Sequence, residues 1–334
     1  MKLSAITTMY YSAPYIAEFV QRMRAAMLAI SPDYEIVIVN DGSPDDALHV
    51  ARRLADDDVN IIVVDLTRNF GHHKAIMTGL AYTTGDLVFL IDCDLEEAPE
   101  TLPLFYDALA ADPEADAVYS IQEQRQGPLL RRLPGDLYYR VVRALSEFDV
   151  PQNILMTRLM TRRYVNDLLR YQEDLYSIEG LWAMTGYKQI PVTIEKTFKG
   201  VSSYTWSKKL WLAVYSITAM SSKPLVAIAY LGLAMIVPTG LLILVWIGQY
   251  LSGYTSGVDG WTSVIVSMWF LGGLVIFVLG IIGLYLSVVF SETKPRPYTL
   301  VRSVYRRDTG EDRPRPTIPP RQALTHSSAP ITGD

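Results

Sequence analysis

The chain has 334 residues, enough for about two domains; half are apolar and only 19% are charged, against about 25% in an ordinary soluble domain. A mean hydropathy of +0.16 excludes a disordered chain and points to membrane segments, while 30 basic against 35 acidic residues give no footing for nucleic-acid binding. The single cysteine, Cys93, excludes an internal disulfide and a cysteine-based zinc site, and suits a reducing compartment.

Strand and helix signals alternate along residues 1 to about 200. Short runs rich in β-branched residues fall at Leu3–Thr7, Glu35–Val39, Asn60–Leu66, Leu87–Ile91 and Ala117–Ile121. Helical patterns fall between them, at Pro14–Ala29, Asp45–Asp56, His73–Thr83 and Glu100–Ala110. This alternation predicts an α/β domain on a parallel sheet, whose ligands bind beyond the carboxyl ends of the strands. Three of those ends are polar: Asn40-Asp41-Gly42-Ser43, Arg68-Asn69-Phe70-Gly71 and Asp92-Cys93-Asp94.

Carboxylates gathered at neighbouring strand ends are costly without a cation or a donor to neutralise them. Asp92 and Asp94, continued by Glu96 and Glu97, suit a hard divalent ion, Mg2+ or Mn2+, that also holds a diphosphate. The alternative is that Asp94 caps the next helix and Asp92 is an ordinary loop residue. His72 and His73 open a helix, where an imidazole can donate to a phosphate; equally, one faces solvent and the other packs. No glycine-rich dinucleotide or P-loop motif occurs, which disfavours a dinucleotide oxidoreductase or a P-loop ATPase.

Charges then disappear. None occurs between Lys223 and Asp259, or between Asp259 and Glu292. Leu225–Leu251 and Thr262–Phe290 are each long enough to span a bilayer, with a mild kink at Pro238 in the first. The alternative for such stretches is a buried core helix. Lysine and arginine flank the pair and are absent between them, so both termini are expected in the cytoplasm, with Trp246 and Trp261 near the outer interface. Tyr204–Ser222, with Lys208 and Lys209, reads as an amphipathic helix on the inner membrane face or as an ordinary surface helix. The first fifteen residues hold too short an apolar run for a signal peptide. The residues from Asp308 onward lack apolar periodicity and read as disordered.

Taken in order, "IVNDGSPDD", "RNFGHHKAIMTGL", "GDLVFLIDCDLEEAPE", "RLMTRRYV" and "GIIGLYLSVVFSETKPRPY" resemble the family-2 inverting glycosyltransferases of GT-A fold. The nearest subgroup is the polyprenyl-phosphate glycosyltransferases, relatives of dolichyl-phosphate mannose synthase. The resemblance runs from about Leu3 to about Tyr305. It implies a Rossmann-like GT-A nucleotide-sugar domain over residues 1–203, a juxtamembrane amphipathic helix over 204–223, a two-helix transmembrane hairpin over 224–291 and a cytoplasmic tail over 292–334. It also implies an inner-membrane enzyme, a homo-oligomer with a tetramer plausible, that moves one sugar to undecaprenyl phosphate for cell-envelope glycans.

The residue roles come from the same resemblance. Asp41 contacts the nucleobase or ribose, with Thr8, Tyr10, Arg68, Asn69, Gly71, Lys74 and Asp92 completing the nucleotide-sugar pocket. Asp92 and Asp94 hold the metal. Arg158 reaches the diphosphate or the acceptor phosphate, and Arg131, Arg132, Arg140, Arg162 and Ser203 serve the lipid phosphate. The pattern departs in three places. The usual Pro-x-Tyr-Asn-Glu of the first loop is Thr8-Met9-Tyr10-Tyr11-Ser12 here, which leaves its nucleobase contacts open. The aspartate two residues before the arginine of "RLM" is Met156, and a Ser-Lys pair is Ser202-Ser203. Glu179 and Glu173 are candidate substitute bases, or alternatively a helix cap and a surface charge. Two other functions compete: a non-catalytic nucleotide-sugar-binding module, and a processive synthase, which the missing Gln-x-x-Arg-Trp motif disfavours.

Overall fold

The computed structural model describes residues 1–122, 154–171, 178–194, 261–294 and 297–307, with scattered positions between 223 and 252. The described residues fall into two compact units. One holds 1–122, 154–171, 178–194 and 297–307; the other holds the long helix at 261–294.

In the first unit the elements follow in order: β1 Leu3–Met9, α1 Ile16–Leu28, β2 Tyr34–Asn40, α2 Ala47–Asp57, β3 Ile61–Leu66, α3 His72–Tyr82 and β4 Leu87–Leu90. A 3-10 turn at Pro99–Thr101 leads into α4 Leu102–Ala110, then β5 Ala117–Ile121, β6 Ile154–Thr161, α5 Arg162–Leu168, α6 Ile178–Met184 and β7 Gln189–Thr193. After the second unit's helix, α7 Trp261–Thr293, the chain returns as β8 Val301–Tyr305. The first five predicted strands and four predicted helices all form, with ends shifted by one or two residues.

The eight described strands make one sheet in the order β7-β5-β6-β4-β1-β2-β3-β8. β4, β1, β2 and β3 run parallel. The expectation of a parallel sheet needs correction at its flanks, because β6 is antiparallel to both β4 and β5, and β8 is antiparallel to β3. β6, β7 and β8 were not predicted. The architecture is therefore a mixed α/β, Rossmann-like GT-A sheet.

All seven residues of β1 and of β2 are buried, as expected of strands covered on both faces. The pleat divides them. Leu3, Ala5, Met9, Ile36 and Ile38 join the cluster against α1, α2 and α4, while Ile6, Val37 and Val39 join the cluster against α3. In α1 the buried residues Ile16, Phe19, Val20, Met23 and Met27 recur at helical spacing and form one apolar stripe. Each such side chain contributes on the order of 1.5–3 kcal/mol on burial. Because β2 and β3 lie on one side of β1 and β4 on the other, the strand order reverses between β1 and β4. A crevice opens at such a switch point, beyond the carboxyl ends.

The second unit's α7 contains Leu271–Phe290, a 20-residue window of mean hydropathy 2.7 with 0% of it buried. Among the described residues it is the one helix long and apolar enough to cross a membrane. It coincides with the second predicted span. Of the first span, only residues 225–228 and the single positions 230, 234, 241, 244, 248 and 251 are described, each helical. The predicted amphipathic helix, the loop between the spans and the tail from 308 lie outside the described residues.

Candidate active site

Four loops leave the carboxyl ends of β1, β2, β3 and β4. Those after β2 and β3 are locked together first. Gly42 has φ +62, and a Cβ there would stand 2.5 Å from both Arg68 C and Asn69 N. Only a glycine accepts both the left-handed backbone and this approach. Next to it, the Asp41 carboxylate accepts the amides of Phe70 at 2.7 Å and Gly71 at 3.0 Å. Burial pushes the Asp41 carboxyl up, and these two amides act in the opposite direction.

The β1 loop is tied to the β2 loop through Ser43. Its hydroxyl accepts the Tyr11 amide at 2.8 Å and donates to Asp45, whose other oxygen accepts the Ala13 amide at 2.9 Å. These bonds hold Tyr11 at φ +55, an outlier for a bulky residue. Tyr10 and Tyr11 are both exposed and meet edge to face, with ring centroids 4.8 Å apart. Leu95, after β4, has φ +62. Strained non-glycine residues thus flank both sides of the switch point, where functional loops concentrate them.

A polar chain crosses the crevice. Thr8 Oγ1 lies 3.0 Å from His72 Nδ1, and His72 Nε2 lies 3.4 Å from Asp92 Oδ1. The first residue of α3 thereby connects the end of β1 to the turn after β4. Asp94 Oδ1 accepts the Glu96 amide at 2.9 Å, an Asx-turn bond rather than a helix cap, because the next helical turn starts only at Pro99 with Ala98 as its N-cap. Between the two aspartates, the Cys93 thiol donates to the Thr8 carbonyl at 3.1 Å, and burial pushes it up to about 11.

No cluster of three His, Cys, Asp or Glu among the described residues is placed to hold a metal unaided. Mg2+ and similar ions commonly take one or two carboxylates and complete their shell with substrate phosphates and water. The donor set of Asp92 and Asp94 fits a cation of that kind, one held jointly with a diphosphate.

The sequence-predicted residues separate in space. Asp41, Arg68, Asn69, Gly71, Asp92 and Asp94 lie on the loops at the carboxyl ends, as does Tyr10, and Thr8 lies near the end of strand β1 beside them. Asp41, however, spends its carboxylate on the Phe70 and Gly71 amides and ties the β2 and β3 loops together through them. Arg68 folds back over the Phe70 ring at 4.0 Å and donates to the Asn69 carbonyl. Lys74 stands over the Tyr298 ring at 5.3 Å, towards the segment that precedes β8.

Arg158 pairs with Leu90 across β6 and β4. It is 0% exposed, with its guanidinium 3.3 Å from the Trp182 ring centroid and a bond to Gln189 at 3.0 Å. In this arrangement Trp182 covers the guanidinium that the resemblance assigns to a phosphate. Arg162 lies apart from the crevice. Its Nε donates to the Gly85 carbonyl at 2.8 Å and its Nη2 to Thr83 at 3.1 Å, beside the amino end of β4 and away from Asp92. The reason is register, because Thr161 pairs with Leu87 and the residue after it passes the start of that strand. Met156 packs against the apolar cluster around α3. Glu179 lies on α6. Arg131, Arg132, Arg140, Glu173, Ser202 and Ser203 lie outside the described residues.

Sequence reasoning did not assign His72 its bridge, Ser43 and Asp45 their tie, or Trp182 its place over Arg158. Only the His-His pair after Gly71 carried a signal.

The glycosyl transferase family 2 model matches residues 4–169. A Mycobacterium tuberculosis protein named as a glycosyltransferase is 47% identical over 312 residues, covering 92% of this chain and 90% of that one. The bactoprenol glucosyl transferase of Shigella phage SfX is 30% identical over 308 residues, covering 91% and 99%. Among solved structures, the mannosyltransferase PcManGT from Pyrobaculum calidifontis, in complex with GDP-Man and Mn2+, is similar at 20% identity with a TM-score of 0.47, covering 88% of each chain. The family match runs from β1 through α5, the stretch that builds the crevice and its four loops, and the chain belongs to glycosyltransferase family 2.

Proposed function

We propose that this protein is a membrane-bound polyprenyl-phosphate glycosyltransferase. It moves one sugar from a nucleotide diphosphate sugar, UDP-linked rather than GDP-linked, to undecaprenyl phosphate at the cytoplasmic leaflet, for cell-envelope glycan synthesis or modification. One observation carries the reading. The chain that builds the crevice also carries Leu271–Phe290, free of charge throughout and unburied, which needs lipid around it. Relatives named bactoprenol glucosyl transferase align over about nine-tenths of this chain, and this supports the acceptor class. In the same reading residues 1–203 form the catalytic domain, 204–223 an interface helix, 224–291 a membrane hairpin with both termini cytoplasmic, and 292–334 a tail. The assembly is a homo-oligomer.

The chemistry follows from the groups present. The loops locked by Gly42 and Asp41 cradle the nucleotide, with Thr8, Tyr10, Arg68 and Asn69 on its rim. Asp92 and Asp94 would hold Mg2+ or Mn2+, which when bound neutralises the charge that develops on the leaving diphosphate. His72 fixes the Asp92 carboxylate from the α3 side. A phosphate monoester, with a second pKa near about 6, is largely dianionic in the cytoplasm. Its oxygen attacks the anomeric carbon without a protein base, which accords with Met156 at the position where the family pattern of the resemblance has an aspartate. What the site must supply is in-line placement, and Arg131, Arg132 and Arg140 are the proposed clamp on the lipid phosphate.

The test is purified protein in nanodiscs with undecaprenyl phosphate, Mn2+ or Mg2+, and a panel of UDP- and GDP-sugars. Released nucleotide diphosphate and the mass of the lipid are read together. One sugar added to the lipid phosphate, lost in Asp94→Ala and on chelation, is the expected result. Inertness across the panel with lipid and donor present, or a polymeric product, refutes the reading.

A further inference from the structure

We propose that Arg302 is a positioning residue for the donor-side turns, acting through the buried pair Asp65 and Asn40. The word "donor" rests on the function proposed above; the coupling itself rests on geometry alone.

β8 is the strand that follows the long apolar helix in sequence, and it closes the edge of the sheet beside β3. Its register is irregular at one point. Asp65 pairs with Ser303 but Leu66 pairs with Val301, so Arg302 is the extra residue of a bulge. Bulges re-aim a side chain and recur beside active sites. Here the Arg302 guanidinium turns onto β3, with Nη1 3.6 Å from Asp65 Oδ2 and Nη2 donating to the Thr67 carbonyl at 2.7 Å. Thr67 is the first residue of the loop that runs to Gly71.

The contact continues inward. The Asp65 side chain is 1% exposed, and its Oδ1 accepts Asn40 Nδ2 at 2.7 Å. Asn40, also buried, accepts the Ser43 amide on its own Oδ1 at 3.1 Å. Ser43 is the residue that holds the Tyr11 amide. One arginine on the edge strand therefore reaches two turns, the β3 turn directly at Thr67 and the β2 turn through Asp65 and Asn40. The Arg302 contact is an ion pair without a hydrogen bond, and Asp65 Oδ2 has no other partner among the described residues; removing one partner of a pair whose other member is buried leaves that member uncompensated. The same segment reinforces the grip: Thr67 donates its amide to the Leu300 carbonyl at 2.9 Å, Thr299 meets Thr78 of α3 at 2.8 Å, and Tyr298 lies under Lys74.

Hydrogen–deuterium exchange on the full chain in nanodiscs tests this without any substrate. In Arg302→Ala, the amides of Ser43, Phe70 and Gly71 should exchange roughly 10-fold faster, the size of one charge-assisted hydrogen bond. Peptides from β1 and β4 should be unchanged. Arg302→Lys should be intermediate. Adding Asp65→Asn to Arg302→Ala, which removes the buried charge, should restore much of the protection. In the active enzyme, Arg302→Ala should raise the donor KM and leave the acceptor KM alone. Unchanged exchange at Ser43, Phe70 and Gly71 overturns the coupling, and so does a loss of protection spread equally over β1 and β4, which would mark β8 as a general staple of the sheet. A protein inert with every nucleotide sugar counts against the proposed function alone, because the exchange pattern is read regardless of turnover.

Discussion

Replacing Gly42 with alanine isolates the contact that locks the β2 and β3 loops, the proposed cradle of the donor. The substitution has two consequences. At φ +62 an L side chain costs about 1–2 kcal/mol. The new Cβ also meets backbone at 2.5 Å, at Arg68 C and Asn69 N, where no rotamer can yield. To restore ordinary contact the β3 loop must retreat by about 1 Å, and a misplacement of that size near a reacting centre costs on the order of 100-fold in rate. Gly186 is the control. Its φ is +70, but nothing lies within 4 Å of a Cβ there, so Gly186→Ala carries the backbone penalty without the collision. Both variants are assayed by thermal unfolding in detergent and by turnover in nanodiscs. Gly186→Ala should lose stability and keep activity within about 2-fold. Gly42→Ala should lose about the same stability or more, and turnover by about 100-fold. If Gly42→Ala retains turnover like the control, the locked loops do not position the donor and the reasoning fails.

Two further predictions concern single groups. Burial works against ionisation of Glu35, but the Lys2 ammonium, the Ser4 hydroxyl and the Thr84 amide outweigh it and hold the carboxyl below its usual value. A depressed carboxyl contributes stability that is full above the unfolded pKa, about 4.3, and is lost as pH falls through the folded one. Glu35→Gln should therefore flatten the fall in unfolding free energy between about pH 5 and pH 3, and an unchanged slope would count against the network. The Cys93 thiol, pushed up to about 11 by burial, is thiolate in only about one molecule in a thousand at pH 8. Iodoacetamide should leave the native protein unlabelled and label it fully after denaturation; rapid native labelling would refute that burial.

Much of this protein was legible in its residues because the signals are local. The alternation of short β-branched runs with helical stripes, and the polar segments that end three of those runs, predict parallel strands with loops at one end. The charge-free stretch that became α7 depends only on composition. What the local pattern could not decide was pairing between distant segments. β6 arrives antiparallel between β4 and β5, and that register sends Arg162 to the amino end of β4 and puts Arg158 under Trp182. An arginine in a motif carries the same formal charge whether a tryptophan covers it or not. β8 lies far along the chain from β3, and a bulge of one residue is what turns Arg302 onto Asp65. The family resemblance located Asp41, Asp92 and Asp94, but the roles of Asp41 as a clamp on the Phe70 and Gly71 amides and of His72 as the bridge from Thr8 to Asp92 arise only when four loops meet. Periodicity and turn chemistry act over a few residues and are written in order along the chain. Contacts across the crevice depend on which strand lies beside which, and the three-dimensional packing of the sheet decides that.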